Sequence, residues 1–194
     1  MRDRILGCSM ELFGCYGIKG LTMDALAAEL GISKRTLYEY FTRKEDLLGA
    51  CLQSRLDEQR LFDPTDGGLI DELLALYGGM QRIDLKKAHR FCRELQKFYH
   101  PLCKTLLDRL SGYAAVCGKL VGPGITAGYI RREVSPEMVR TAVTGCLMQL
   151  FACVSSDYAD IRNVLSPETI VIFTRGLCTI KGRTYLDQKL KASA

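Results

Sequence analysis

Apolar residues recur along almost the whole chain at three- and four-residue intervals, the spacing that gathers them on one face of an α-helix. Ile5, Leu6, Met10, Leu12, Phe13 and Tyr16 form the first stripe, and Gly17 ends it with a residue suited to a helix C-terminus. A short segment follows in which Thr22 is the predicted N-cap, Asp24 stands in the first turn, and Leu26, Ala27 and Leu30 turn inward. Gly31 closes it. Ser33 caps a second short segment carrying Leu37, Tyr40 and Phe41, the last two read as packing residues. From Lys44 to Phe62 a longer stripe runs through Leu47, Leu48, Cys51, Leu52, Leu56 and Phe62. Asp63-Pro64-Thr65-Asp66-Gly67-Gly68 then breaks the period and predicts a linker.

Beyond the linker, Leu69 to Tyr77 and Leu85 to Tyr99 are helical in pattern, and Pro101 marks a break or a new start. Gly122-Pro123-Gly124 interrupts another helix. Ser135-Pro136-Glu137 and Ser166-Pro167-Glu168 each supply a capping hydroxyl, a proline suited to the first helical position and a carboxylate near the positive helix end. They open helices predicted near 136–155 and 167–181. Thr169 to Phe173 has strand composition, but the Ser-Pro-Glu start and the lack of a partner strand keep it helical. The fold class expected is all-α.

Composition narrows the classes. The chain has 194 residues, 47% hydrophobic and 25% charged, which is a globular and not a disordered balance. The longest apolar run, around Ala142 to Val154, contains Thr144 and Gln149 and ends in Ser155, Ser156 and Asp157, so no membrane span is expected. Met1-Arg2-Asp3-Arg4 passes directly into an amphipathic pattern without an apolar signal region, which points to the cytoplasm. Nine cysteines without a C-x-x-C are expected to be reduced thiols acting as small apolar residues, with a redox switch as the competing reading. Cys8 and Cys15, like Cys146 and Cys153, are seven apart, on one helix face.

Net charge is +5, yet residues 1–60 carry nine Lys/Arg and nine Asp/Glu, so the whole excess lies downstream. An interaction with nucleic acid must therefore rest on local geometry. Between Ser33 and Lys44 four cations (Lys34, Arg35, Arg43, Lys44) face one anion, Glu39. The segment Thr22 to Phe41 meets the requirements of a helix-turn-helix: small Ala27 at the crossing, Gly31 for a positive-φ turn, and Leu26, Leu30, Ile32 and Leu37 for the crevice. The second helix then offers Ser33, Lys34, Arg35 and Thr36 at its start, where hydroxyls, ammonium and guanidinium suit phosphates and base edges.

With these residues in place the chain resembles the TetR family of transcriptional regulators. The likeness rests on Gly17-Ile18-Lys19-Gly20-Leu21-Thr22-Met23-Asp24-Ala25-Leu26-Ala27, on Gly31 to Phe41, and on Lys44-Glu45-Asp46-Leu47-Leu48. It is close over about the first 48 residues. A looser echo lies in Gly128-Tyr129-Ile130-Arg131 and Phe173-Thr174-Arg175-Gly176-Leu177. The resemblance implies a three-helix DNA-binding domain over 1–48 and a helical effector-binding and dimerisation domain over 49–194. It also implies that Thr22 and Tyr38 contact phosphates, that Lys44 pairs with phosphate, and that Lys34, Arg35 and Thr36 face the major groove. Arg35 stands where many members have glycine, and Cys8 and Ser9 replace the family's small pair in the first helix and are expected to pack similarly.

The partners expected are a double-stranded DNA operator, a second copy of the chain through the helices near 136–155 and 167–181, and a small-molecule effector. Tyr77, Met80, Phe91, Leu95, Phe98, Tyr99, Leu102 and Leu106 are the apolar and aromatic candidates for an effector pocket between helices. No cofactor and no metal are expected. His89-x-x-Cys92 and His100-x-x-Cys103 are too far apart along one straight helix to share an ion, and only a reversal near Pro101 would join them. An enzyme is not expected either. Gly122-Pro123-Gly124-Ile125-Thr126-Ala127 fits G-x-G-x-x-A, but it follows a helical pattern, has Thr144 near the place of the required acid, and Pro123 lacks an amide. The remaining alternative is a helical interaction module of the same fold that has lost specific DNA binding, against which the intact Ser33 to Lys44 surface argues.

Overall fold

A computed structural model of the chain describes residues 1–58, 68–82, 84–152 and 167–192. The predicted linker up to Gly67, together with Phe62, Cys153, Val154, Ser155, Ser156, Asp157 and Ser166, lies outside the described residues, as do the side chains of Leu150 and Phe151. The architecture is all-α: α1 (Arg2–Tyr16), α2 (Met23–Glu29), α3 (Lys34–Tyr40), α4 (Lys44–Glu58), α5 (Leu69–Gln81), α6 (Leu85–Phe98), α7 (His100–Lys119), α8 (Val121–Thr126), α9 (Pro136–Ala152), α10 (Glu168–Leu177) and α11 (Ile180–Ala192). No described helix is long and apolar enough to cross a membrane.

The chain divides into two compact units. The first comprises Met1–Arg60 with Asp84–Leu107, the second Leu61–Ile83 with Asp108–Ala194. In the first unit, α1 packs against α4 and α6, and α2 against α3. Phe13, Leu26, Leu37, Leu47, Leu48 and Leu95 are entirely buried there, and these are the positions that the helical stripes mark. Ser9 is buried as well, but Cys8 and Cys15 are exposed. The reading of Cys8 and Cys15 as small apolar packing residues is therefore corrected. Adjacent helix positions point about 100° apart, so Ser9 faces the core and Cys8 water.

In the second unit α10 packs on α5, and α8 on α9. Ser135 caps α9 as expected, its Oγ accepting the Met138 N–H at 3.2 Å. The helix predicted over 167–181 stops at Leu177 and a new one begins at Ile180. The break has a specific cause. The Arg131 N–H donates to Leu177 O, the Thr179 N–H donates to Tyr129 O, and Ile130 and Cys178 form an isolated antiparallel bridge. The two loosely family-like segments thus meet each other. Thr179 then caps α11, its Oγ1 accepting the Gly182 N–H at 3.1 Å.

Candidate nucleic-acid interface

The motif is built by short-range chemistry. Thr22 Oγ1 accepts the Ala25 N–H at 3.1 Å and starts α2, and Ser33 Oγ accepts the Thr36 N–H at 3.0 Å and starts α3. Between them Gly31 adopts φ of 65°, the left-handed conformation that favours glycine, and its N–H donates to Ala28 O. Ile32 reaches back to Ala27 O at 3.0 Å, which brings the start of α3 against α2 over a side chain no larger than a methyl. Leu26, Ala27 and Leu37 are buried in the crevice.

What the bend presents is cationic and wet. The Lys34 side chain is 64% exposed and that of Arg35 is 90% exposed. Ser33 and Tyr38 are exposed and Thr36 is half-buried. Each cation has an internal partner. Lys34 Nζ donates to Asp24 at 2.6 Å, Arg35 Nε to Glu39 at 3.1 Å, and Arg43 makes a two-pronged pair with Asp46 at 3.2 and 2.9 Å. The Arg43 guanidinium holds the Asp46 carboxyl below its ordinary value, chiefly by hydrogen bonding. Exposed pairs of this kind contribute little to stability, so phosphates can displace the carboxylates at small cost.

Hydroxyl bookkeeping leaves donors for a ligand. Thr22 uses a lone pair for its cap, which leaves its O–H proton available. Ser33 and Thr36 share one proton across 2.8 Å, leaving the other. Lys44 differs. Its Nζ donates to Ile18 O at 3.0 Å and Leu21 O at 2.9 Å, so two of its three donors hold the turn between α1 and α2. Lys44 therefore sets the position of the turn that leads to Thr22, with one donor left over. Tyr40 is 44% exposed, which corrects its reading as a packing residue. Tyr40 ends α3 on its exposed side, whereas Phe41, the C-cap in extended conformation, turns inward at 6% exposure.

Sequence reading missed the residues that brace this turn from afar. Glu94 Oε2 accepts the Lys19 N–H at 2.8 Å, and Arg90 Nη1 donates to Cys15 O at 2.9 Å. Gly17 makes room, with φ of 82°, and a Cβ there would meet Glu94 Oε1 at 2.7 Å. Arg4 Nη2 similarly donates to Leu30 O at the end of α2. These contacts span 26 to 75 residues, and no local pattern announces them.

The effector candidates fall in both units. Phe91, Leu95, Phe98, Tyr99, Leu102 and Leu106 belong to the first unit, and Tyr77 and Met80 to the second. Leu95 is fully buried, whereas Phe98 is 43% exposed with Lys19 and Lys97 ammonium groups 5.1 and 5.4 Å from its ring centre. Burial first, and then Cys103, push the Cys92 thiol up to about 12. Among the described residues no three His, Cys, Asp or Glu side chains converge as a metal site. Gly122 to Thr126 form most of α8, directly after α7, with Ala127 as its C-cap, so the glycine pattern sits on a helix without a preceding strand.

Comparison with known proteins agrees with this geometry. Residues 5–51 match the family model described as bacterial regulatory proteins, tetR family. The HTH-type transcriptional regulator YvaF of Bacillus subtilis (strain 168) is 29% identical over 115 residues, 55% of this chain and 58% of that protein. SrpR of Pseudomonas putida, also an HTH-type transcriptional regulator, is 31% identical over 68 residues, 35% of this chain and 32% of its own length. The matches thus span less than two thirds of these relatives. Two solved structures share the fold across most of the chain. The reduced form of E. coli NemR has a TM-score of 0.67 at 15% identity, covering 92% of this chain and 96% of its own. A TetR-family transcriptional regulator from Cytophaga hutchinsonii has 0.66 at 14%, covering 92% and 94%. With the family's model lying on the residues that build the bend and the cationic helix start, the chain carries over residues 5–51 the N-terminal domain of bacterial regulatory proteins of the tetR family.

Proposed function

We propose that the protein is a ligand-responsive repressor that acts in the cytoplasm and binds a palindromic operator in double-stranded DNA as a homodimer. The observation that carries this reading is the exposed start of α3, where Lys34 and Arg35 stand in water immediately after the Gly31 bend. Thr22, Ser33, Lys34, Arg35, Thr36 and Tyr38 are the proposed DNA contacts, and Lys44 adds one donor while fixing the turn. Residues 1–48 act as the DNA-binding domain and 49–194 as the effector-binding and dimerisation domain. Glu94 and Arg90 of α6, which hold the turn between α1 and α2, are the groups through which an effector among the α6 and α7 side chains would move the motif. Dimerisation through α9 and α10 is supported by the apolar residues that their packing leaves outside, Met138 at 55% exposure and Ile172 at 70%. A two-fold pair would set two recognition helices about 34–36 Å apart on one face of the duplex.

The test is a salt-dependent DNA-shift assay with the protein's own upstream region. Specific retention of a palindromic site is expected. Arg35→Ala should weaken it about tenfold or more, in line with about 1–3 kcal/mol for a groove contact, and Lys44→Ala should weaken it too. Retention unchanged by both substitutions would overturn the assignment.

A further inference from the structure

The second unit contains a cleft that neither the DNA-binding surface nor the eight effector candidates use. It has a volume of 330 Å³, at the small end of the roughly 300–1,000 Å³ typical of ligand pockets. Leu69, Ile70 and Ile130, all buried, give it an apolar floor, and Tyr129 and Tyr185 line it with rings 5.3 Å apart and tilted by 47°. Its shape depends on glycine, because a Cβ on Gly124 would meet Ile130 Cγ1 at 2.6 Å. Asp71 is the single charged residue in the lining, with its side chain 20% exposed.

Both rings and the carboxylate already hold cations, supplied by the chain itself. Lys181 Nζ lies 4.4 Å from the centre of Tyr129, and Lys189 Nζ lies 5.2 Å from the centre of Tyr185. Lys189 Nζ also sits 3.1 Å from Asp71 Oδ1, while the Tyr185 hydroxyl donates to both Asp71 oxygens at 2.9 and 3.0 Å. An aromatic face and a carboxylate together form the constellation that recognises an ammonium group. The two lysines are long, exposed and strongly hydrated, so they gain little from the apolar floor beneath them.

We propose that this cleft binds an organic cation with an apolar body, which displaces Lys189 from Asp71, lays its charge against Tyr185 and Asp71, and rests its apolar body on Leu69, Ile70 and Ile130. A weakly hydrated cation gains the ring and carboxylate contacts that Lys189 now makes, and in addition buries apolar surface that a lysine ammonium leaves wet. An anion of the same shape would meet the Asp71 carboxylate.

Isothermal titration of the full chain with benzyltrimethylammonium tests this without DNA, so its outcome is separate from that of the repressor reading. Saturable binding of one cation per chain is expected, about tenfold tighter than neopentylbenzene, its uncharged carbon isostere, and tighter than phenylacetate. Asp71→Asn should weaken the cation about tenfold, and Lys189→Met should tighten it about threefold by removing the internal competitor. Because Asp71 also accepts the Gly68 N–H at the start of α5, Lys189→Met decides the matter if Asp71→Asn fails to fold. No saturable binding, equal affinity for the isostere, tighter binding of phenylacetate, or an affinity that Lys189→Met leaves unchanged or weakens would each overturn the proposal.

Discussion

The turn between α2 and α3 and the junction between α8 and α11 solve the same problem at different ranges. Both bring backbone close to backbone at a glycine. At the first, Gly31 serves its own φ of 65°, a Cβ there would meet nothing, and the bonds around it reach three to five residues. At the second, Gly182 sits under the carbonyl of Tyr129, 53 positions away in sequence, and a Cβ would meet that oxygen at 2.1 Å. The first glycine answers to the chain beside it and the second to a distant strand of backbone. A sequence announces the former and hides the latter.

Substitution separates the two directly. Gly182→Ala forces backbone apart and should destabilise by more than about 3 kcal/mol, read as a lower urea midpoint. Gly31→Ala meets open space and should lose only about 1 kcal/mol, from the left-handed conformation alone. The reverse order would break the contrast between long-range and local glycines. The smallest effect at neutral pH concerns the thiols. Burial pushes Cys51 and Cys92 of the first unit up to about 12, and Cys117 and Cys178 of the second up to about 11, from an ordinary 9.0. The folded chain therefore keeps protons that the unfolded chain releases. Stability should be intact below pH 9 and fall as pH rises from there towards the folded values, as chemical denaturation across that range will show. At neutral pH a thiol reagent should modify exposed Cys8 and Cys15 quickly and the buried cysteines slowly.

The same division of range explains how much was legible. The helical stripes, the caps at Thr22, Ser33 and Ser135, the turn at Gly31 and the exposure of Lys34 and Arg35 all follow from neighbours within a few residues, and all stand in the structure as the pattern predicts. Errors arose where a choice between neighbours was settled elsewhere. Cys8 and Tyr40, read as packing residues together with Ser9 and Phe41, face water while those neighbours are buried. The end of α10 was decided by Tyr129 and Arg131, which draw the backbone of Leu177 to Thr179 into pairing. The resemblance makes Lys44 a phosphate ligand, and the structure adds that two of its three donors go to carbonyls more than twenty residues earlier. The cleft of Asp71, Tyr129 and Tyr185 joins residues up to 114 positions apart, with no signature in the order of residues.

The central claim is that α3 faces the duplex while the exposed side of α10 faces a second copy. A photo-reactive benzoylphenylalanine placed at Tyr38 and, separately, at Ile172 tests both halves in one cross-linking experiment on the DNA complex. Irradiation should join position 38 to DNA and position 172 to another protein chain. A DNA adduct from position 172, or none from position 38 while the complex remains intact, would contradict it.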